Sequence, residues 1–362
     1  MKLLEYYHTQ SPNITNYIVR KTQISTEKKI NLFGVRGAGK SALVLDYLQE
    51  EEKKDKILYI DFEDPNLFFE TITLFKLEAF IKEHNIEILV FDHYNENYFE
   101  NFFMIEVKKL IIISRIPLKT TSLHPIELFP LDYEEFLAFD TTSSIQTKGF
   151  KHFLRLGTLP YCAISQKHHL LTIKRFLQSQ FTINEQKLLH ILATHNTKHL
   201  TIHQIFTFAK DEFKVSKDWM YKTIKAFQEE KIIFFIENNH KKSGKKMILF
   251  DFSFAKYLSK EQSFITQFDT MLALTFIKNR IPFSTLGIHG YLTERNELII
   301  SAPFENEESM WVKSQSKFST YRKFTIQKVT IVTMTNRYEF SIQNIYFEAL
   351  PFEEWSVISE ED

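Results

Sequence analysis

Lys29-Ile30-Asn31-Leu32-Phe33-Gly34-Val35-Arg36-Gly37-Ala38-Gly39-Lys40-Ser41 decides the fold: five residues of strand composition run into a glycine loop, and the helical pattern Ala42 to Glu52 follows. Strand, glycine loop and helix in that order are what a P-loop requires. Gly34, Gly37 and Gly39 let consecutive backbone N–H groups converge on an anion without obstruction by Cβ. Lys40 supplies a point charge for the β- and γ-phosphates of a triphosphate, and the Ser41 hydroxyl suits Mg²⁺. The helix after the loop adds its positive N-terminus. The expected cofactor site is therefore Gly34, Val35, Arg36, Gly37, Ala38, Gly39, Lys40, Ser41 and Ala42, holding ATP and Mg²⁺.

Three further strand-like runs follow, Ile57 to Phe62, Glu87 to Asp92 and Leu110 to Ser114, with helical patterns between the first two. This alternation predicts an α/β domain with a parallel sheet and crossover helices. Asp92 ends the apolar run Ile88-Leu89-Val90-Phe91, where its carboxylate reaches a Mg²⁺ shell as a Walker B aspartate. A separate strand lies between the glycine loop and this run, an order that fits ATPases of the additional-strand class better than kinases. Ser114 ends the next strand, in the place of a residue that senses the γ-phosphate.

The 362 residues carry 45 Lys+Arg against 45 Asp+Glu, and 44% are hydrophobic. That length predicts two or three domains, and that much apolar material excludes intrinsic disorder. Zero net charge argues against a wholesale polyanion binder while leaving room for a local basic patch. The single Cys162 forms no intramolecular disulfide, and the longest apolar run, Ile232 to Ile236, is far short of a membrane span. The expectation is a cytoplasmic protein without membrane contact.

Beyond the polar stretch Asp140 to Gln146 the parallel-sheet pattern stops. Asn184 to Thr194, Thr201 to Ala209 and Ser216 to Glu230 read as three short helices, with Ser216 as an N-cap. The strands Ile232 to Ile236 and Met247 to Asp251 flank a basic hairpin. Three helices and such a hairpin predict a winged helix-turn-helix. From Asn196 to Lys260 there are 13 Lys against 7 Asp+Glu, a balance of +6. On the third helix Met220, Ile224 and Phe227 recur at core spacing, whereas Lys217, Tyr221 and Lys225 share another face. That face, with the hairpin lysines Lys241, Lys242, Lys245 and Lys246, is the candidate surface for double-stranded DNA. A third α/β unit follows from about Phe264, with strands near Glu297 to Ile300, Lys328 to Thr333 and Ile345 to Glu348.

The stretches GVRGAGKSAL (34–43), YIDFEDPNLF (59–68), ILVFDHYN (88–95), LIIISRIPL (110–118), ELFPLDYEEFLAF (127–139), LRLGTLPYC (154–162), IVTMTN (331–336) and LPFEEW (350–355) span most of the chain. In them the sequence resembles prokaryotic AAA-type ATPases of unknown function that carry a winged helix and a C-terminal restriction-endonuclease-like domain. The resemblance implies an ATPase core over 1–145 and a small helical segment with Gly157-Thr158-Leu159-Pro160 near the nucleotide over 146–182. It further implies a winged helix over 183–260 and an endonuclease-like domain over 261–362. It also implies that Lys40, Ser41 and Asp92 bind Mg-nucleotide and that Ser114 is the γ-phosphate sensor. Arg36, Arg115 and Arg155 are its candidates for stabilising charge at the γ-phosphate.

Two departures from that pattern bear on mechanism. Relatives usually have a Glu directly after the Walker B Asp to polarise the attacking water, whereas this chain has His93, so hydrolysis is expected to be slow unless Glu63, Asp64 or Glu96 substitutes. Nucleases of the PD-(D/E)XK type need clustered carboxylates for Mg²⁺ and a Lys two positions from the second acid on one strand. Here Ile299 and the Trp311-Val312-Lys313 run fall at those positions, with Glu305, Glu307 and Glu308 nearby, which predicts a degenerate domain. The favoured expectation is a nucleotide-dependent switch with slow hydrolysis, acting on DNA or a protein partner. A non-hydrolysing scaffold and an ATP-regulated nuclease are the alternatives.

Overall fold

The computed structural model describes residues 2–10, 13–15, 17–99, 101–139, 146–165, 167–239, 244–261 and 263–361. Two compact units divide between Leu131 and Asp132. The expected boundary near residue 145 is thereby moved, because Asp132 to Phe139 pack into the second unit. There Lys278 forms ion pairs with Asp132 at 2.9 Å and Glu135 at 2.7 Å, and Tyr133 meets Phe352 edge-on.

The first unit contains α1 (Lys2–Thr9), β1 (Lys29–Phe33), α2 (Lys40–Gln49), β2 (Ile57–Asp61), α3 (Leu74–His84), β3 (Ile88–Asp92), β4 (Lys109–Ser114) and β5 (His124–Glu127). The strands form one parallel sheet in the order β2-β3-β4-β1-β5. The inner strands β3 and β4 are short, mostly apolar runs, as a sheet covered on both faces requires, and β1 adds the buried Asn31 to its apolar residues. β3 and β4 are buried along their whole length. The order places β4 between the glycine-loop strand β1 and the Asp92 strand β3, and the C-terminal ends of all three meet at one edge of the sheet. α1 and β5 were not expected from the sequence.

The second unit begins with α4 (Tyr133–Phe139), α5 (Gln146–Leu156), α6 (Pro160–Ile164) and α7 (His169–Gln180). Next come α8 (Ile183–Thr194), β6 (His199–Leu200), α9 (Ile202–Glu212), α10 (Lys217–Glu229), β7 (Ile233–Ile236), β8 (Lys245–Leu249) and α11 (Phe252–Leu258). Thr182 and Thr201 close capping boxes with Glu185 and Gln204, and Ser216 caps α10 by accepting from the Trp219 N–H. β6, β8 and β7 form a small antiparallel sheet.

The chain ends with α12 (Phe264–Lys278), β9 (Phe283–Thr285), β10 (Tyr291–Thr293), β11 (Glu297–Ser301), α13 (Glu307–Lys323), β12 (Lys328–Thr333), β13 (Tyr338–Ile342), β14 (Ile345–Pro351) and α14 (Phe352–Glu361). Its six strands form a mixed sheet in the order β13-β14-β12-β11-β10-β9. The expected strand over Trp311 to Lys313 is a helical stretch inside α13, whose N-cap Asn306 and polar composition favour helix. Asp251, expected to end a strand, instead caps α11 by accepting from the Phe254 N–H. Among the described residues no helix is long and apolar enough to cross a membrane.

Candidate functional site

The glycine loop leaves β1 through Gly34, whose φ is +146°; a Cβ there would stand 2.2 Å from the Leu128 carbonyl oxygen. No side chain fits that gap, so the loop and the segment after β5 can approach this closely only at glycine. Gly37 and Gly39 also have positive φ, and Gly39 is the N-cap of α2. Val35, Arg36 and Ala38 are buried, while Lys40, Ser41 and Ala42 open the helix half-exposed. The Lys40 ammonium lies back across the loop, donating to the carbonyl oxygens of Gly34 at 2.7 Å and Val35 at 3.0 Å.

Asp92 is buried at the end of β3. One carboxylate oxygen accepts the His93 N–H at 2.8 Å, and the other accepts the Tyr59 hydroxyl. Burial, with the charge of Asp92 and the bond to it, pushes the Tyr59 pKa far up. The Tyr59 hydroxyl therefore holds the Asp92 carboxylate, the acidic group expected to reach Mg²⁺. Tyr59 was not singled out from the sequence, since a tyrosine inside an apolar strand reads as core.

His93 has a left-handed backbone, with φ of +53°. Its Nδ1–H donates to Asp61 at 2.7 Å, which turns Nε2 toward Glu63, 3.8 Å away. Burial lowers the His93 pKa, but the hydrogen bond to Asp61 and the charges of Asp92, Asp61 and Glu63 outweigh it and raise the value. Asp61 answers in the opposite sense: burial raises its pKa, and the bond from His93 with the Glu63 N–H overcomes this and lowers it. Arg115 pairs with Glu63 at 2.9 Å. Asp92, His93, Glu63 and Arg115 thus share one edge of the sheet with Asp61.

Ser114 is buried at the end of β4, accepting from Asn31 Nδ2 at 2.8 Å and donating to the Ile116 carbonyl at 2.7 Å. Asn31 also takes the Leu118 N–H at 2.9 Å, so β1 and β4 are keyed together through this one amide. A second residue missed from the sequence is Arg20. Buried before β1, it donates to the Ala38 carbonyl at 2.7 Å and to the Phe129 carbonyl at 2.6 Å, bracing the loop from below. An isolated arginine upstream of a motif carries no signal of such a role.

In the second unit Gly157 and Thr158 have a partner the sequence did not suggest. Thr158 donates both its N–H, at 2.5 Å, and its hydroxyl, at 2.6 Å, to the fully buried Asp251. Burial raises the Asp251 pKa, while these donors and the Phe254 N–H hold the carboxylate in place. Gly157 has φ of +79°, and a Cβ there would press on Asp251 at 2.6 Å. The GTLP stretch therefore ties α5 to the start of α11. Arg155 is exposed on α5.

Of the basic candidates, Lys217, Tyr221 and Lys225 do share an exposed face of α10, opposite the buried Met220, Ile224 and Phe227. Lys217 lies over the Tyr221 ring at 5.8 Å, and Lys225 pairs loosely with Glu229 at 3.8 Å. Lys241 and Lys242 lie outside the described residues. Lys245 pairs with Glu237. Lys246 departs from the expected phosphate contact: only 12% of its side chain is exposed, it pairs with Asp269 of α12 at 2.6 Å, and it sits over the Tyr291 ring at 4.4 Å. Ile299 is buried within β11, while Trp311 and Lys313 ride on α13, where Lys313 pairs with Glu305.

No curated protein matches the chain. Residues 26–103, however, match the model of a family described as an AAA domain. The matched stretch runs from the approach to β1 through the glycine loop to beyond Asp92, and it supports an AAA-type P-loop ATPase core in this part of the chain.

Proposed function

We propose that the chain is a Mg²⁺-dependent ATP-binding switch that hydrolyses ATP slowly. The observation that carries this reading is the convergence, at one edge of a parallel sheet, of the positive-φ glycine loop, Lys40, Ser41 and the buried Asp92. The donor set fits the cofactor: the Ser41 hydroxyl and the Asp92 carboxylate, which is held by the Tyr59 hydroxyl, suit a hard cation, and loop N–H groups with an ammonium suit phosphates. Mg²⁺, when bound, neutralises charge on the phosphates. Ser41 and Asp92 are its ligands in this reading, and Lys40 exchanges the Gly34 and Val35 carbonyls for phosphate.

His93 takes the place of the missing glutamate. Its Nδ1–H is committed to Asp61, so Nε2 is the atom left to orient a water and accept its proton. An imidazole without a full negative charge polarises water less than a carboxylate, which keeps turnover slow. Arg115, drawn toward Glu63, and the buried Arg36 and Ser114 are the remaining candidates for reading the γ-phosphate.

The order α8-β6-α9-α10-β7-β8 supports a winged helix in the second unit, with Lys217, Tyr221 and Lys225 as its face toward double-stranded DNA, joined by Lys245, Lys241 and Lys242. The order α12-β9-β10-β11-α13-β12 supports an endonuclease-like module, read here as a docking element because Ile299 and Trp311 offer no ligand. One observation favours a scaffold reading instead: Lys246 is bound into α12, and Asn238 bridges to Thr285 of β9, so part of the basic hairpin serves internal packing. Calorimetry with ATP and Mg²⁺, followed by turnover with and without duplex DNA, tests these readings. The switch requires tight binding lost in Lys40→Ala and turnover that responds to DNA; binding with neither turnover nor DNA response leaves the scaffold.

A further inference from the structure

α1 and α3 bring together three side chains that the nucleotide reading does not use. Glu5 and His8 are three residues apart on one face of α1, His84 is the last residue of α3, and one ligating atom from each lies within 4.8 Å of the others. Among the described residues no other group of three His, Cys, Asp or Glu side chains comes so close together.

The hydrogen bonds decide what the imidazoles offer. His8 Nε2 lies 2.8 Å from the Asp55 carbonyl oxygen, and His84 Nδ1 lies 3.2 Å from the Phe80 carbonyl oxygen. A carbonyl only accepts, so each ring carries its proton on that nitrogen and, when neutral, leaves the other nitrogen bare. For His84 the bare atom is Nε2, and it faces Glu5 Oε1 at 3.5 Å. The neutral imidazole nitrogen and the carboxylate oxygen are both acceptors, a pair that a bound cation would satisfy. Both rings are also fixed by packing, His84 stacked on Phe80 at 4.0 Å and His8 edge-on to the same ring at 5.7 Å. A histidine held by a carbonyl on one nitrogen, with the other nitrogen free, is how proteins orient metal-binding imidazoles.

We propose that Glu5, His8 and His84 form a site for a divalent first-row transition ion of the zinc type, which fastens α1 to α3. Two imidazoles and one carboxylate suit zinc, with water in the fourth position, and do not suit Mg²⁺, which prefers oxygen donors. A tetrahedral site brings its ligand atoms to about 3.3 Å from one another, a contraction within reach of half-exposed side chains. The ion fastens a helix already seated on the core: Leu3, Leu4 and Tyr7 of α1 are buried with Leu58 and Ile60 of β2 and Leu77, Phe80 and Ile81 of α3. β2 ends in Asp61, the partner of His93, so the site secures the helix that covers this strand.

Zn²⁺ alone, titrated calorimetrically into the full nucleotide-free chain, tests the site, with Co²⁺ absorption reporting geometry. The expected result is one equivalent of zinc, a raised thermal midpoint, and a visible Co²⁺ band of tetrahedral intensity. Glu5→Gln and His84→Ala should each weaken zinc binding by about ten- to a hundredfold and remove the band. Glu5→Gln changes a half-exposed side chain and keeps its shape, so it remains informative if His84→Ala fails to fold. Zinc binding of equal affinity and stoichiometry in the wild type and in Glu5→Gln would overturn the proposal, as would the absence of zinc binding. An unchanged midpoint in MgCl₂ is expected, and a rise there that Glu5→Gln abolishes would assign the site to a hard cation instead.

Discussion

At the residue scale, the centre of the site is a phenol. The Tyr59 hydroxyl bonds Asp92, so it fixes that proposed Mg²⁺ ligand before any ion arrives. Tyr59→Phe removes that hydroxyl and leaves the ring in place; losing one such bond to a carboxylate costs about 1.5 kcal/mol, about tenfold in Mg²⁺-dependent ATP affinity. ATP affinity equal to wild type by calorimetry would assign Tyr59 to packing alone. His93 makes a different claim. His93→Gln should lower the hydrolysis rate by about a hundredfold while ATP affinity holds, and Asp61→Asn should lower it in the same direction because the imidazole loses its anchor. Single-turnover rates separate these effects from binding, and an unchanged rate in both variants would move the base elsewhere.

At the scale of elements, the short strand β6 shows how burial converts into pH sensitivity. His195, just before it, and His199, within it, both have pKa values lowered by burial and by nearby lysines, Lys198 and Lys246 respectively. A histidine whose folded value is depressed adds stability that is complete above its unfolded value of about 6.5 and is lost as pH falls from there through the folded value. The thermal midpoint should therefore drop as pH is lowered below about 6.5, and His195→Gln with His199→Gln should flatten that dependence; an equally steep fall in the double variant would place the titration elsewhere. Elements also show what the sequence could and could not disclose. The glycine loop, β1, β3 and α10 were legible because each is set by a local pattern: positive-φ glycines, apolar runs, a serine cap. Arg20, Tyr59 and the role of Gly157-Thr158 were not, because each is defined by a partner far along the chain. The Thr158–Asp251 bond spans 93 residues, and no spacing rule reaches that far.

At the scale of the whole molecule, charge counted along the chain overstates charge available to a ligand. The +6 balance from Asn196 to Lys260 includes Lys246, which the structure spends on Asp269, and Lys245, which pairs with Glu237. Lys217→Gln with Lys225→Gln should weaken duplex binding and reduce the slope of log affinity against log salt by about 1.8. Lys246→Gln should instead leave the slope alone and cost up to about 3 kcal/mol of stability, because Asp269 loses its cation and keeps only the Tyr291 hydroxyl among the described residues. Binding isotherms at several salt concentrations and a denaturant melt distinguish the two; a slope changed by Lys246→Gln would return it to the DNA face. The parallel sheet of the first unit carries one more consequence, which concerns synthesis. β1 lies between β4 and β5, strands that leave the ribosome long after it. At about 5–20 residues per second, β1 waits roughly 5 to 20 seconds with both backbone edges open before residue 127 is made. During that interval the strand that will carry the glycine loop is a sticky, unpartnered segment, and the nascent chain is exposed there to chaperones and to its neighbours on the same message.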